Sequence, residues 1–459
     1  MTSGPPQSDP NDPGLLSATE TGLLTDQYEL AMAASYLRRD MNQPAIFELF
    51  ARKLPPHRQW LLAAGLGPTL RVVRELRFGE RELAYLGSIG FDVEFLDYLS
   101  EFSFSGDVHA IPEGTACFAN EPLLRVTGPR IEAQLLETLL LNQINFQTMI
   151  ATKAARVVLA AGGGEPGAGD SVIDFSPRRD HGIDAAMKVA RSAAVAGCGG
   201  TSNMAAAMRY GLRPVGTMAH SYVMSFGSEQ DAFRAYMQDF PNNALMLVDT
   251  YDSLEGVRNA IAASRETGVE LRGVRLDSGD LLALSREARR ILDDADLGEA
   301  RIVASGDLQE HRIGELVAAG APIDQWGVGT ELGTSRDSPV LNGVYKLVAD
   351  RAGGEWRGVW KRSPDKATHP GPKQVYRAYE DGIMARDLIA AEHEEAGGEP
   401  LLVEAMRGGE IVGEESLAEI RERSSSQLSA LPEALRPPDD DAEPYPVTYS
   451  ERLAATVEE

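Results

Sequence analysis

Arg275-Leu276-Asp277-Ser278-Gly279-Asp280 ends a short apolar run and opens a helical one, and this arrangement recurs through the middle of the chain. The other instances are Asp174-Phe175-Ser176-Pro177-Arg178-Arg179, Gly199-Gly200-Thr201-Ser202-Asn203, Gly216 to His220, Asp249-Thr250-Tyr251-Asp252, Ser305-Gly306-Asp307 and Gly327-Val328-Gly329-Thr330. Most intervals are about 20–30 residues, the length of one strand-and-helix unit. Seven such units in a row favour a parallel barrel over a sandwich. Parallel strands point one way, so every polar cluster should lie at one rim, where barrel enzymes place their chemistry.

The central cluster holds one of only seven histidines. Leu212 to Val215 reads as a buried strand ending in a loop, with His220 at its carboxyl mouth. Imidazole carries a proton or a phosphoryl group near neutral pH, although a lone histidine can equally be a satisfied core residue. Its company matters more. Gly306, Gly329 and Thr330 leave backbone N–H groups open before helices, a geometry that holds phosphate. No GxxxxGK[ST] is present, so this is not a P-loop chain. Asp249 and Asp277 can hold Mg²⁺ or ribose hydroxyls, stabilise an electron-poor sugar carbon, or simply cap helices. Arg178, Arg179 and Arg275 offer positive charge to a carboxylate or phosphate, or pair within the molecule. Phe175 can stack on a planar ligand or fill core. These residues describe a site for an anionic, phosphorylated ligand without naming it.

The chain of 459 residues carries a net charge of −25, which argues against non-specific nucleic-acid binding. Cys117 and Cys198 are the only cysteines, too few for a disulfide framework or a cysteine zinc site. No apolar run approaches the roughly 18 residues of a membrane span and no signal core precedes the fold, so the expected place is the cytoplasm. The expected fold is α/β: an irregular parallel barrel of about seven strands over 131–344, with an α+β domain built from 15–130 and 345–435. Residues 1–14 are expected to be disordered, and 436–459 to form an acidic tail. Thr25 or Asp26 caps a helix with Tyr28 in its first turn. The strand from Ala45 ends in Arg52-Lys53, and 130–160 reads as one long helix with Lys153 and Arg156 near its end.

In order and spacing, LLTDQYEL, FELFARKLP, ETLLLNQINFQT, DFSPRRDHG, GTSN, GTMAHSYV, VRLDSGDL, ASGDL and GVGTELGTSRDSPVLNGVYKLV resemble the nicotinate phosphoribosyltransferases, type II phosphoribosyltransferases of NAD salvage. The resemblance runs from about Leu23 to Lys346. It implies that nicotinate and phosphoribosyl pyrophosphate give nicotinate mononucleotide and pyrophosphate, with ATP as co-substrate and Mg²⁺ as cofactor. His220 would be the residue that ATP phosphorylates. Tyr28 and Thr217 would contact nicotinate, the tyrosine from the partner subunit of a homodimer whose site lies at the interface. Phe175 would lie under the pyridine, and Arg178 and Arg275 would face both substrates. Gly306, Gly329 and Thr330 would cradle the 5′-phosphate. Arg52, Arg336 and Lys346 would reach phosphates, and Asp249 and Asp277 would sit by the ribose and Mg²⁺. Asp180-His181 departs from the family pattern of a small residue and a glutamine. Asn203 stands where the related nicotinamide enzyme has an acid; an uncharged residue there suits a carboxylate substrate. The rivals are a nicotinamide or quinolinate phosphoribosyltransferase and, from another class, an inactive nucleotide-binding regulator.

Overall fold

Short, mostly apolar strands of a parallel sheet are stable only when both faces of the sheet are covered. Val172, Ile173, Val274, Leu276, Ile302, Ala304, Trp326 and Val328 are all buried in this way. The computed structural model describes residues 15–17, 19–162, 168–361, 369–436 and 442–456. Among them, six strands form one sheet in the order Gly200–Thr201, Val172–Asp174, Gln325–Val328, Arg301–Ala304, Gly273–Leu276 and Leu245–Leu247. Every pairing is parallel. The carboxyl ends therefore share one edge, and the segments that follow them carry Phe175, Asp249, Asp277, Ser305 and Gly329 to a common rim.

A seventh position exists but is reduced to a single parallel bridge, Thr201 to Pro214. The expectation of a buried strand over Leu212–Val215 is corrected here, because Arg213 and Pro214 are exposed. Pro214 has no N–H to give to a ladder and sits at a sheet edge, where proline is tolerated. Asn243 Nδ2 donates to Gly216 O at 3.0 Å, linking this edge to the segment that enters the Leu245–Leu247 strand at the other.

Two compact units divide the chain. One takes in the described residues up to Met149, those from Val340 to Pro432 and those after 441; the other runs from Ile150 to Pro339 and resumes at Glu433. The expected boundaries at 131 and 344 therefore shift. The stretch 130–160 is two helices, Arg130–Leu135 and Glu137–Ala160, and the longer one changes unit midway. Its first half packs in the first unit: Thr148 Oγ1 donates to Ala64 O at 3.3 Å, and Gln147 fills the space beside Gly65. A continuous helical period cannot reveal such a change of neighbours.

The first unit contains a seven-stranded sheet in which Pro44–Ala51 is an interior strand, antiparallel to Gly343–Ala352 and to the central Pro122–Pro129. A four-stranded sheet joins Lys373–Glu380 and Ile383–Ala391 to Val447–Tyr449. The last of these, with the helix Glu451–Ala455 capped by Ser450, corrects the expectation of a tail for 442–456. Residues 1–14 and 437–441 lie outside the described residues. No described helix is long and apolar enough to cross a membrane.

Candidate active site

The rim of the parallel sheet holds a connected polar network. Arg275, at the end of its strand, donates from Nε to Ser305 Oγ at 2.9 Å, from Nη2 to Asp277 Oδ1 at 2.9 Å and from Nη1 to Thr217 Oγ1 at 3.3 Å. Its guanidinium lies 5.6 Å from the centre of the Phe175 ring, a cation–π contact. The ring is seated flat because Gly327 has no side chain: a Cβ there would approach it to 2.5 Å. Ser305 also bonds to Asp277 Oδ1. Burial alone would raise the Asp277 carboxyl, but Ser305, Arg275 and His220 together outweigh it and hold the group below the usual aspartate range.

Asp249 is braced from the next strand. Its Oδ2 accepts the Asp277 N–H at 3.1 Å and the Ser278 hydroxyl at 2.6 Å. Its Oδ1 is buried and has no hydrogen-bond partner. His220 begins the short helix His220–Met224, with Nδ1 3.2 Å from Thr250 Oγ1. Its Nε2 stands 3.9 Å from Asp249 Oδ1 and 3.9 Å from Asp277 Oδ2, and 40% of the side chain remains exposed. When Nδ1–H donates to Thr250, Nε2 keeps its lone pair on the side that faces the two carboxylates.

The phosphate-type turns lie alongside. Gly306 has φ +88°, and a Cβ there would fall 1.9 Å from the Asp277 carbonyl oxygen, so only glycine lets the two turns touch. Gly329 precedes the helix Thr330–Thr334, whose first N–H groups have no partner within the helix.

Six of the expected residues, His220, Thr217, Asp249, Asp277, Arg275 and Phe175, are thus brought together, with Gly306 touching Asp277. Arg178 is exposed on the turn after Phe175, and Arg336 is exposed and paired with Glu331 at 3.2 Å. Tyr28, Arg52 and Lys346 belong to the first unit. There Tyr28 is half exposed, Arg52 lies 5.7 Å over the Phe50 ring, and Lys346 stands 3.9 Å from Glu137. Asn203 caps its helix through Ala206 N and donates to Ala186 O at 3.2 Å, so its amide also has a structural task. Thr250, Ser278 and Ser305 were not singled out from sequence. Their one signal was membership of the strand-end clusters.

The two aspartates fit a hard cation: an unpartnered oxygen of Asp249 and the free oxygen of Asp277 face the same imidazole nitrogen. No group of three or more His, Cys, Asp or Glu side chains placed to hold a metal occurs among the described residues. Mg²⁺ commonly needs only one or two carboxylates with substrate phosphates.

A parallel α/β sheet with a histidine, two aspartates and an arginine-backed ring at its carboxyl edge defines a barrel-type enzyme site for an anionic ligand. The chain belongs to the nicotinate phosphoribosyltransferase family: residues 23–145 match its N-terminal domain and 171–382 its family model. It is 45% identical over 436 residues to a nicotinate phosphoribosyltransferase of Mycobacterium tuberculosis, covering 94% of this chain and 92% of that one. A Bacillus subtilis nicotinate phosphoribosyltransferase is 44% identical over 362 residues, 77% of this chain and 72% of its own. The crystal structure of human nicotinic acid phosphoribosyltransferase aligns at a TM-score of 0.82 and 29% identity, over 95% of this chain and 99% of that one.

Proposed function

We propose that the protein transfers the phosphoribosyl group of phosphoribosyl pyrophosphate to nicotinate, releasing pyrophosphate, and couples this to ATP hydrolysis through a phosphohistidine at His220. The observation that carries the reading is the His220 imidazole held between Asp249 and Asp277 on the rim that also presents Arg275 and Phe175. In the transfer step the pyridine nitrogen lone pair forms the bond to the ribose C1 as the bond from C1 to the pyrophosphate oxygen breaks. That nitrogen carries no proton, so no general base is required. Phe175 offers a face to the pyridine and Arg275 a charge to the nicotinate carboxylate; Thr217, bonded to Arg275, completes that side. Asp277 and Asp249 stabilise the positive charge that builds on the sugar.

In the coupling step Nε2 attacks the terminal phosphorus of ATP, ADP leaves, and water later cleaves the P–N bond to give phosphate. Thr250 orients the ring for that attack. Asp249 Oδ1 and Asp277 Oδ2 would hold Mg²⁺, which when bound offsets the charge of the phosphates. Gly306, Gly329 and Thr330 suit the 5′-phosphate, with Arg178 and Arg336 as further cations. Tyr28, Arg52 and Lys346 are assigned to the site across a homodimer interface.

The experiment is a substrate comparison. Purified protein with nicotinate, phosphoribosyl pyrophosphate, Mg²⁺ and ATP should form nicotinate mononucleotide, pyrophosphate, ADP and phosphate. Faster consumption of nicotinamide or quinolinate would replace the substrate, and no turnover with any of them would favour the inactive regulator.

A further inference from the structure

The turn after Phe175 contains a proton that the site described above does not use. Asp174 Oδ1 accepts the Ser176 N–H at 2.9 Å and the Ser176 hydroxyl at 2.6 Å, and its Oδ2 accepts the Thr201 hydroxyl at 2.7 Å. Asp174 is therefore fully supplied with donors as a carboxylate. Ser176 Oγ also lies 3.2 Å from Asp180 Oδ2. A hydroxyl has one proton to give, and the shorter contact takes it, so the second contact needs its proton from Asp180. The other oxygen, Asp180 Oδ1, is buried without a hydrogen-bond partner. It rests against the Thr330–Thr334 helix at Gly333, where a Cβ would come within 2.1 Å of it. A charged oxygen with neither water nor a donor is the costly case.

We propose that Asp180 is held as a neutral acid that donates to Ser176 and clasps the Arg178-Arg179 turn against the Thr330–Thr334 helix. It is a positioning residue that fixes the spacing between the nicotinate side and the phosphate side, and in this it rests on the function proposed above. The surrounding charges agree. Asp174, on its own strand end, has its carboxyl pushed up by burial against the pull of its Ser176 and Thr201 donors, and Glu331 on the facing helix is already paired with Arg336. Arg178, Arg179 and His181 of the same turn are exposed. No ion pair to Asp180 occurs among the described residues. Burial pushes its carboxyl up to about 7, with Asp174 adding to the rise against the Ser176 contact. The folded value lies above that of an unfolded aspartate, about 3.9. The clasp's contribution is thus full at acid pH, declines as pH rises from about 4 to 7, and is gone above.

Asp180→Asn keeps the shape and a donor but cannot ionise; Asp180→Ala keeps neither. Both are compared with the unaltered full chain at each pH, which cancels the ionisation of the substrates. The kcat/KM for phosphoribosyl pyrophosphate in Asp180→Asn should equal that of the parent near pH 6, and the ratio should grow about tenfold per pH unit above 7. Asp180→Ala should be low throughout. Two measurements do not depend on turnover. The infrared difference between the parent and Asp180→Asn at pH 6 should contain a carboxylic-acid band, and the parent's unfolding temperature relative to that variant should fall between pH 5 and 7. A ratio that stays flat with pH, or a missing acid band, overturns the clasp. If the parent makes no nicotinate mononucleotide, the proposed function fails while the band and the unfolding series still decide the clasp.

Discussion

His220 Nε2 stands at 3.9 Å from an oxygen on each of two aspartates, and neither contact is a hydrogen bond. That spacing leaves room for a group to be received between them. In the parent, nicotinate and phosphoribosyl pyrophosphate should stimulate ATP hydrolysis. His220→Ala should abolish that stimulated hydrolysis and leave slow, ATP-independent transfer, because the transfer step proposed above uses Arg275, Asp277 and the phosphate turns. ADP release at the parent rate from that variant would falsify the phosphohistidine. Much of this level was legible in the chain itself. His220, Asp249, Asp277, Arg275 and Phe175 each fall at or just after the end of an apolar run, so one topological inference gathers them. The hydroxyls of Thr250, Ser278 and Ser305 were not legible, because serine and threonine are ordinary in turns. Only the parallel register makes them partners.

At the scale of elements, the helix Glu137–Ala160 carries the clearest surprise. In the sequence Lys153 and Arg156 stand only as two basic residues near the end of a long helix. In the structure Lys153 is buried, with Nζ 2.5 Å from Glu310 and 2.9 Å from Asp337, and Arg156 Nε lies 3.0 Å from the other Glu310 oxygen. Burial would raise the Glu310 carboxyl, but the two cations outweigh it and hold it low. Glu310 begins the helix after the Gly306 turn, and Asp337 follows the Thr330–Thr334 helix, so one ammonium joins the segments behind both phosphate-type turns. Removing Lys153 takes one of two cations from the buried Glu310, leaving Arg156 to compensate it alone, and takes the ammonium from Asp337. Lys153→Met should cost about 3–5 kcal/mol in denaturant unfolding. Adding Glu310→Gln should recover part of that loss. Equal losses in the single and double variants would mean that the pair is not coupled. No periodicity in 137–160 signals this, since the acidic partners lie far along the chain.

For the whole molecule, the distribution of charge and the route of the C terminus matter most. A net charge of −25 coexists with a site for anionic ligands because the cations are placed locally, Arg275 on the rim and Arg178 beside it. The acidic composition after 436 predicts a tail, yet Tyr445 stacks on Phe118 at 3.8 Å and donates to the buried Asp387 at 2.9 Å. Asp387 is the partner of the fully buried Arg377. Tyr445→Phe removes only the hydroxyl, a hydrogen bond to a charged group, so unfolding should become easier by about 1.5–3 kcal/mol. A smaller change would show that the carboxylate is satisfied without it. Composition misled here because three consecutive aspartates mask the short alternating stretch Tyr445 to Tyr449 behind them.

The segment leading to the histidine joins its sheet by one bridge at Pro214 and by side-chain tethers at Arg213 and Gly216, while the strands bearing the aspartates are held in continuous parallel ladders. In the proposed coupling step the imidazole takes a phosphoryl group from ATP and yields it to water, and a small shift between the two partners would serve both reactions. Loosely moored backbone can make that excursion while the strands bearing the aspartates stay fixed.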